Sequence, residues 1–160
     1  MRERRTLLLI AVLLLLPPIA AEAKVVLVQP GPGTPFQDAI DDAAPGDTIR
    51  AAGGIYTEGI VVNKALRITG SPSSPYAEVD AGCAVANAVE VAADDVVVRG
   101  LIIRGGSTNG VDVQNRDHVQ LLVSPFNTCI GAQNAINVVS STHVKIIGSG
   151  SGGVYPVGLI

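Results

Sequence analysis

One short pattern of apolar residues occurs four times in the chain and constrains its fold more than any other feature. Each copy holds two apolar residues separated by one residue, a polar turn, and two more apolar residues spaced in the same way. The copies are Ile60/Val62 with Leu66/Ile68, Val89/Val91 with Val96/Val98, Val111/Val113 with Val119/Leu121, and Ile136/Val138 with Val144/Ile146. Two strands of period 2, recurring every ~20–30 residues, predict a β-solenoid in which each copy is one coil.

The residues before the repeats predict a lid for this solenoid. Thr34 is a good N-cap residue, Pro35 is favoured at the first helical position, and Gln37 completes the spacing of a capping box. The apolar face of this helix comprises Phe36, Ala39, Ile40 and Ala43. Pro45-Gly46 ends the helix. A helix over 34–44 would cover the open end of the first coil, where backbone groups and core would otherwise meet water.

Four motifs in and after this helix resemble those of a known family. They are Phe36-Gln37-Asp38-Ala39-Ile40, Pro45-Gly46-Asp47-Thr48-Ile49, Gly54-Ile55-Tyr56-Thr57-Glu58 and Leu66-Arg67-Ile68-Thr69-Gly70. In these motifs the chain resembles the N-terminal portion of the pectin-lyase-like superfamily. The resemblance implies an all-β fold, a right-handed parallel β-helix with an N-terminal capping helix. It leaves the reaction open, because the superfamily contains lyases, hydrolases, esterases, epimerases and non-enzymes, and its catalytic carboxylates match no residue here.

The start of the chain has the pattern of a secretory signal peptide over residues 1–23. Three arginines precede an apolar run from Leu7 to Leu16, and Ala21-Glu22-Ala23 provides small residues at a cleavage site. An uncleaved membrane anchor is the alternative, but a spanning helix needs about 20 apolar residues. The sequence therefore predicts a secreted or periplasmic protein with a strand and capping helix in 24–46 and coils in 47–160.

Charge and composition narrow the class of partner. Residues 24–160 carry eight Lys and Arg against twelve Asp and Glu, so no basic patch of the kind that binds nucleic acid is predicted. The same residues hold no apolar run long enough to span a membrane. A polysaccharide is the partner that the family resemblance implies.

Strand alternation predicts two outward columns of side chains. If the apolar pairs face the core, the residues between them face solvent, and in-register coils place them about 5 Å apart. The columns are Glu90, Asp112 and Asn137, and Arg67, Val97, Gln120 and Lys145. The polar members of both columns are the candidate substrate-binding residues. Basic groups suit uronate carboxylates, and the carboxylates suggest Ca²⁺ as a cofactor. Alternatively, polar columns simply face water.

A third column lies in the turn between the two strands, where Ala65, Asp95, His118 and His143 are equivalent. Imidazoles on adjacent coils can share a metal ion, so His118 and His143 are candidate metal ligands. A metal site needs three or four ligands, and the obvious extra ligands are Asp117 and Asn115. The alternative is a polar ladder that stabilises the corner.

The two cysteines occupy similar places two coils apart, since Cys83 lies six residues before Val89 and Cys129 seven before Ile136. Two coil spacings correspond to about 10 Å, beyond the roughly 7 Å that a disulfide tolerates between Cα atoms. The register thus argues against a disulfide, whereas a bulged loop would permit it.

The last residues predict an unfinished coil. Val157 and Leu159 begin a fifth copy of the pattern and are followed only by Ile160. An uncapped coil predicts a chain truncated at its C-terminus, or one that self-associates there. Three functions follow from the resemblance and the columns. One is binding or processing of an acidic polysaccharide by a lyase-, esterase- or epimerase-like protein. The second is a non-catalytic surface or adhesion module, and the third is a periplasmic metal-handling β-helix.

Overall fold

The computed structural model of the chain describes residues 22–125, 129–147 and 157–159. These residues form eleven strands and one helix. In chain order the elements are β1 (Val25–Val28), α1 (Pro35–Asp42), β2 (Thr48–Ala51), β3 (Gly54–Tyr56), β4 (Ile60–Val62), β5 (Arg67–Thr69), β6 (Ala77–Val91), β7 (Val97–Gln114), β8 (Gln120–Pro125), β9 (Asn134–Val139), β10 (Lys145–Ile146) and β11 (Val157–Leu159).

The strands stack as a parallel β-solenoid of about five coils, which confirms the predicted fold class. Three faces run along the stack. The first face contains β1, β2, β5, the start of β7, the start of β8 and β10. The second face contains β3, the start of β6, the middle of β7 and the end of β8. The third face contains β4, the ends of β6 and β7, β9 and β11. Because β6 and β7 bend through a corner, each belongs to two or more faces.

The core is a set of stacked aliphatic layers inside the coils. The apolar pairs of the repeat point inward as predicted, and their members from the third face are buried: Ile60, Val62, Val89, Val91, Val111, Val113, Ile136 and Val138. On the first face Ile49, Ile68, Val98 and Leu121 form the matching inward column and are fully buried. Each such side chain contributes about 1.5–3 kcal/mol by leaving water. Stacking identical registers therefore stabilises every coil through its neighbours.

Helix α1 lies over the first coil with Phe36, Ile40 and Ala43 buried, which confirms the predicted lid. Its predicted capping box is wrong. Thr34 makes no capping hydrogen bond to the helix backbone, and its hydroxyl instead donates to the Asp38 carboxylate at 3.1 Å.

A charged residue of the first coil caps each end of α1 instead. The Glu58 carboxylate accepts hydrogen bonds from the backbone N–H groups of Phe36 and Gln37, both at 2.9 Å. At the other end, the Lys64 ammonium lies within 3.1 Å of the carbonyl oxygens of Ile40, Asp41 and Ala43. Each charge is opposite in sign to the partial charge at its end of the helix and therefore stabilises that end.

The Gly-x-Tyr-x-Glu element thus has a framework role. Tyr56 is fully buried, its ring packs on Phe36 with centroids 5.0 Å apart, and its hydroxyl lies 2.9 Å from the carbonyl oxygen of Val28. Burial raises the pKa of Tyr56 to about 12, so the phenol stays protonated at neutral pH. Tyr56 therefore attaches β1, and Glu58 attaches α1, to the first coil.

The register argument against a disulfide is wrong, because Cys83 and Cys129 are bonded with their Cα atoms 5.8 Å apart. Five positions separate Asp80 from Val85 in β6, whereas their partners in β7, Arg104 and Gly106, are only two apart. The three extra residues form an exposed excursion that crosses the third coil and reaches the fourth.

The excursion requires a glycine beneath it. Gly105 has a φ of +81°, and a Cβ there would lie 2.5 Å from both the Asp80 carboxylate and the Gly82 nitrogen. A residue with a side chain would therefore clash here, because the excursion from β6 lies directly against the backbone of β7.

The structure tests the prediction for the C-terminal end of the chain but not the one for its N-terminal end. Strand β11 pairs in parallel with β9, with Val157 opposite Ile136 and Leu159 opposite Val138, which confirms a fifth coil. The predicted signal peptide falls mainly on residues 1–21, outside the described residues. No helix of the described part is long and apolar enough to cross a membrane.

Candidate functional site: a basic face and a histidine turn

The first face presents the predicted column of Arg67, Val97, Gln120 and Lys145. These residues pair in that order on adjacent coils. Arg67, Gln120 and Lys145 are exposed. The structure therefore brings together the polar members of this column, as strand alternation predicts.

Two further arginines lie on the same face and were missed from the sequence. Arg50 pairs with Thr69, and Thr69 pairs with Arg99, so the two arginines belong to a second column beside the first. Both side chains are exposed. The signal was available, because Arg50 and Arg99 lie two positions after Thr48 and Val97 and so point outward in the same strands.

We call the outward surface bearing Arg50, Arg67, Arg99 and Lys145 the basic face. Its other outward residues carry no charge: Val25, Leu27, Thr48, Thr69, Val97, Gln120, Leu122 and Ile147. Within the described residues, none of the four cationic side chains has a hydrogen-bond or ion-pair partner. By contrast, Arg104 on the second face pairs with Glu78 at 2.5 Å. The chain as a whole has a net charge of −3, whereas the charged side chains of this face are all positive.

A groove of about 710 Å³ opens on the basic face. Arg50 and Arg99 line it together with Leu27, Leu122 and the loop of residues 70–72. The groove therefore combines apolar surface with two cations that have no partner in the part of the chain that the structure describes. This combination suits a ligand with both apolar C–H surface and negative charge.

The predicted column on the third face is also in register, with Glu90 opposite Asp112 and Asp112 opposite Asn137. Asp112 is buried and accepts hydrogen bonds from the side-chain amides of Asn137 at 2.6 Å, Gln114 at 2.9 Å and Asn109 at 3.5 Å. Its carboxylate is thus satisfied by the protein and has a framework role.

The Glu90 carboxylate is different, because within the described residues it has no partner. It lines a polar groove of about 350 Å³ with Asp112, Gln114 and Arg116. The Nε of Arg116 is buried without a hydrogen-bond partner there. The Glu90 carboxylate and the Arg116 guanidinium both line this groove, but they do not form an ion pair with each other.

The turn between the third and first faces brings together the predicted histidines. Asp95, His118 and His143 have φ angles of 55°, 54° and 49°, which confirms their equivalent turn positions. The two imidazoles stack with centroids 4.7 Å apart and planes 7° apart.

Asp117 joins the two histidines. The Nδ1 of His118 lies 3.0 Å from its Oδ2, and the Nδ1 of His143 lies 2.8 Å from its Oδ1. Hydrogen bonds from the Thr142 hydroxyl and from His143 lower the pKa of Asp117 to about 2. We call Asp117, His118 and His143 the histidine turn. The backbone N–H of Asn115, the other suggested ligand, donates to the Val139 carbonyl at 3.0 Å, and within the described residues no contact joins its side chain to the histidine turn.

Comparison with known proteins gives little further information. No protein-family model matches the chain, and a search of curated proteins finds no match. Among solved structures, the chain is similar to a mutant of the PL6 family alginate lyase AlyGC, with 18% sequence identity and a TM-score of 0.42 over 81% of this chain. The match spans 17% of that lyase chain. Likeness at this level does not bear on activity.

Proposed function

We propose that this chain is a secreted or periplasmic β-helix of the pectin-lyase-like type that binds an acidic polysaccharide along its basic face. The observation that carries the proposal is the gathering, on one face, of four exposed cations that have neither a partner nor a neighbouring carboxylate among the described residues of that face. Such a surface attracts an extended polyanion more strongly than a neutral or cationic polymer.

The arrangement of the cations suits a linear ligand that follows the solenoid axis. Arg50, Arg67, Arg99 and Lys145 lie on β2, β5, β7 and β10 of the first face, whose neighbouring strands are about 4.8 Å apart. A polyuronate carries one carboxylate on each sugar, so its charges also recur along a line. Arginine guanidinium groups bind carboxylates in a bidentate manner.

The surface between the cations suits the uncharged parts of a sugar. Leu27 and Leu122 offer apolar contact to the C–H faces of the rings, and the Gln120 amide is placed to bind hydroxyl groups. Four exposed charge contacts of about 1 kcal/mol each correspond to a Kd on the order of 1 mM. Longer oligomers are expected to bind more tightly, since they span more coils.

Isothermal titration with polygalacturonate, alginate and neutral dextran tests the proposal. We expect binding of both polyuronates, with affinity falling steeply as added salt shortens the Debye length from about 8 Å at 0.15 M to about 3 Å at 1 M. The triple variant Arg50→Gln/Arg67→Gln/Arg99→Gln removes three of these contacts and should weaken polyuronate binding by about a hundredfold. The matched control, Arg50→Lys/Arg67→Lys/Arg99→Lys, keeps the charge and should lose much less.

Three results would contradict the proposal. The first is binding of dextran as tight as that of the polyuronates. The second is an equal loss of polyuronate affinity in the Gln and Lys variants when both are folded. The third is binding of single-stranded DNA as tight as that of polyuronate. Ultraviolet absorbance of unsaturated sugar products, measured with the same polymers, reports separately whether bound polymer is also cleaved.

A further inference from the structure

The histidine turn holds two nitrogen ligands and one oxygen ligand in a small volume. The candidate ligand atoms of Asp117, His118 and His143 all lie within 4.8 Å of one another. The side chains are 40%, 60% and 69% exposed, so an ion from solvent can reach them. This turn lies at a corner of the solenoid and shares no residue with the basic face.

Neighbouring residues fix the carboxylate before any ion arrives. The Thr142 hydroxyl donates to Oδ1 of Asp117 at 2.6 Å, and the backbone N–H of His118 donates to the same oxygen at 3.0 Å. The backbone N–H of Asp117 donates to Asp94 at 2.9 Å. Among the described residues, the polar contact of Oδ2 is with the Nδ1 of His118 at 3.0 Å. Hydrogen bonds of this kind, made to a ligand by its neighbours, hold metal ligands in place.

Two of the separations are close to those around one metal ion. Bonds of about 2.0–2.2 Å in tetrahedral geometry place ligand atoms about 3.3 Å apart. The Nδ1 of His118 lies 3.0 Å from Oδ2 and the Nδ1 of His143 lies 2.8 Å from Oδ1, but the two rings are stacked with centroids 4.7 Å apart. Both imidazoles must therefore rotate out of the stack to bind one ion, since a metal lies in the plane of each ring that binds it. An ion bound at Nδ1 takes the place of any proton there, and each neutral imidazole then carries its proton on Nε2.

We propose that Asp117, His118 and His143 form a three-ligand site for a divalent transition metal of the Zn²⁺ and Cu²⁺ class. Two imidazoles with one carboxylate suit these ions. Ca²⁺ and Mg²⁺ bind poorly at such a site, because they need more oxygen ligands. Three protein ligands leave one coordination position for water.

Titration of the untagged chain with Zn²⁺ alone tests the site. We expect one ion per chain, no binding of Ca²⁺ or Mg²⁺, and tighter binding of Cu²⁺ than of Zn²⁺. The Cu²⁺ complex should show two coordinated nitrogens by electron paramagnetic resonance. His118→Asn and His143→Asn should each weaken Zn²⁺ binding by about tenfold or more.

Asparagine is the substitute of choice because it tolerates the positive φ of both positions. The matched control is Asp95→Asn, which changes the equivalent turn position one coil earlier and should leave binding unchanged. Stoichiometric Zn²⁺ binding that survives both histidine variants would overturn the proposal. So would absence of Zn²⁺ binding by the folded chain, which would leave the stacked imidazoles as a structural ladder.

Discussion

At the scale of single residues, Asp47 links three separate parts of the lid region. Its carboxylate accepts hydrogen bonds from the backbone N–H of Lys24 at 2.8 Å and from that of Ala44 at 2.9 Å. These bonds lower the pKa of Asp47 below its usual value of 3.8, with Lys24 the larger cause. The side chain thus joins the entry strand to the end of α1.

The lowered pKa predicts acid sensitivity. A depressed carboxyl pKa stabilises the fold at pH values above the unfolded pKa, and this contribution is lost as the pH falls through the folded pKa. We therefore expect the Tm to fall as pH drops below about 4. In Asp47→Asn the Tm should be lower at neutral pH, and its decline in acid should be shallower. Calorimetry across this pH range measures both.

Asp42→Asn is the control for this prediction. Asp42 is on the exposed side of α1 and, within the described residues, its side chain has no partner. Its variant should keep the acid slope of the parent chain. An unchanged slope in Asp47→Asn would show that other groups control acid unfolding.

At the scale of elements, the lid is attached by charge as well as by packing. Helix α1 has eight residues, a length that is marginal for an isolated helix in water. Glu58 and Lys64, both on the first coil, satisfy backbone groups at its two ends. The coil therefore fixes where the helix begins and ends.

Glu58→Gln should loosen the lid. The amide keeps one acceptor oxygen but turns an NH₂ group toward a backbone N–H, so we expect a loss of about 2 kcal/mol in the free energy of unfolding. Hydrogen exchange should rise in residues 35–42 before it rises elsewhere. Glu90→Gln makes the same chemical change at a carboxylate without a partner and should stay within about 0.5 kcal/mol of the parent. Equal losses in both variants would argue against the capping role.

At the scale of the whole molecule, the disulfide joins the second coil to the fourth across the third. It closes a loop with a sequence separation of 46 residues. In the chain-entropy model, a loop of this length stabilises the fold by about 4 kcal/mol.

Cys83→Ser/Cys129→Ser should therefore lower the free energy of unfolding by about 2–4 kcal/mol in a urea titration. The parent chain should lose a similar amount on adding a reductant, whereas the double variant should be insensitive to it. A parent chain that is equally stable with and without reductant would contradict this account.

Much of this architecture was predictable because solenoid register is a local property. Period-2 alternation gives the inward residues, and parallel stacking turns sequence spacing into columns, which is why Arg67, Gln120 and Lys145 were found together. The disulfide was not predictable, because the three extra residues before Val85 look like any other part of a strand-rich sequence. The capping roles of Glu58 and Lys64 depend on contacts more than 20 positions away, which no local pattern contains.

The bond between Cys83 and Cys129 also changes what a single backbone cut can do. A protease that cleaves one peptide bond between these residues leaves two fragments that are still covalently joined. The strands on either side of the cut also stay paired with their neighbours, so the two fragments do not dissociate. Nicked chains would migrate as one species on a denaturing gel and separate only after reduction.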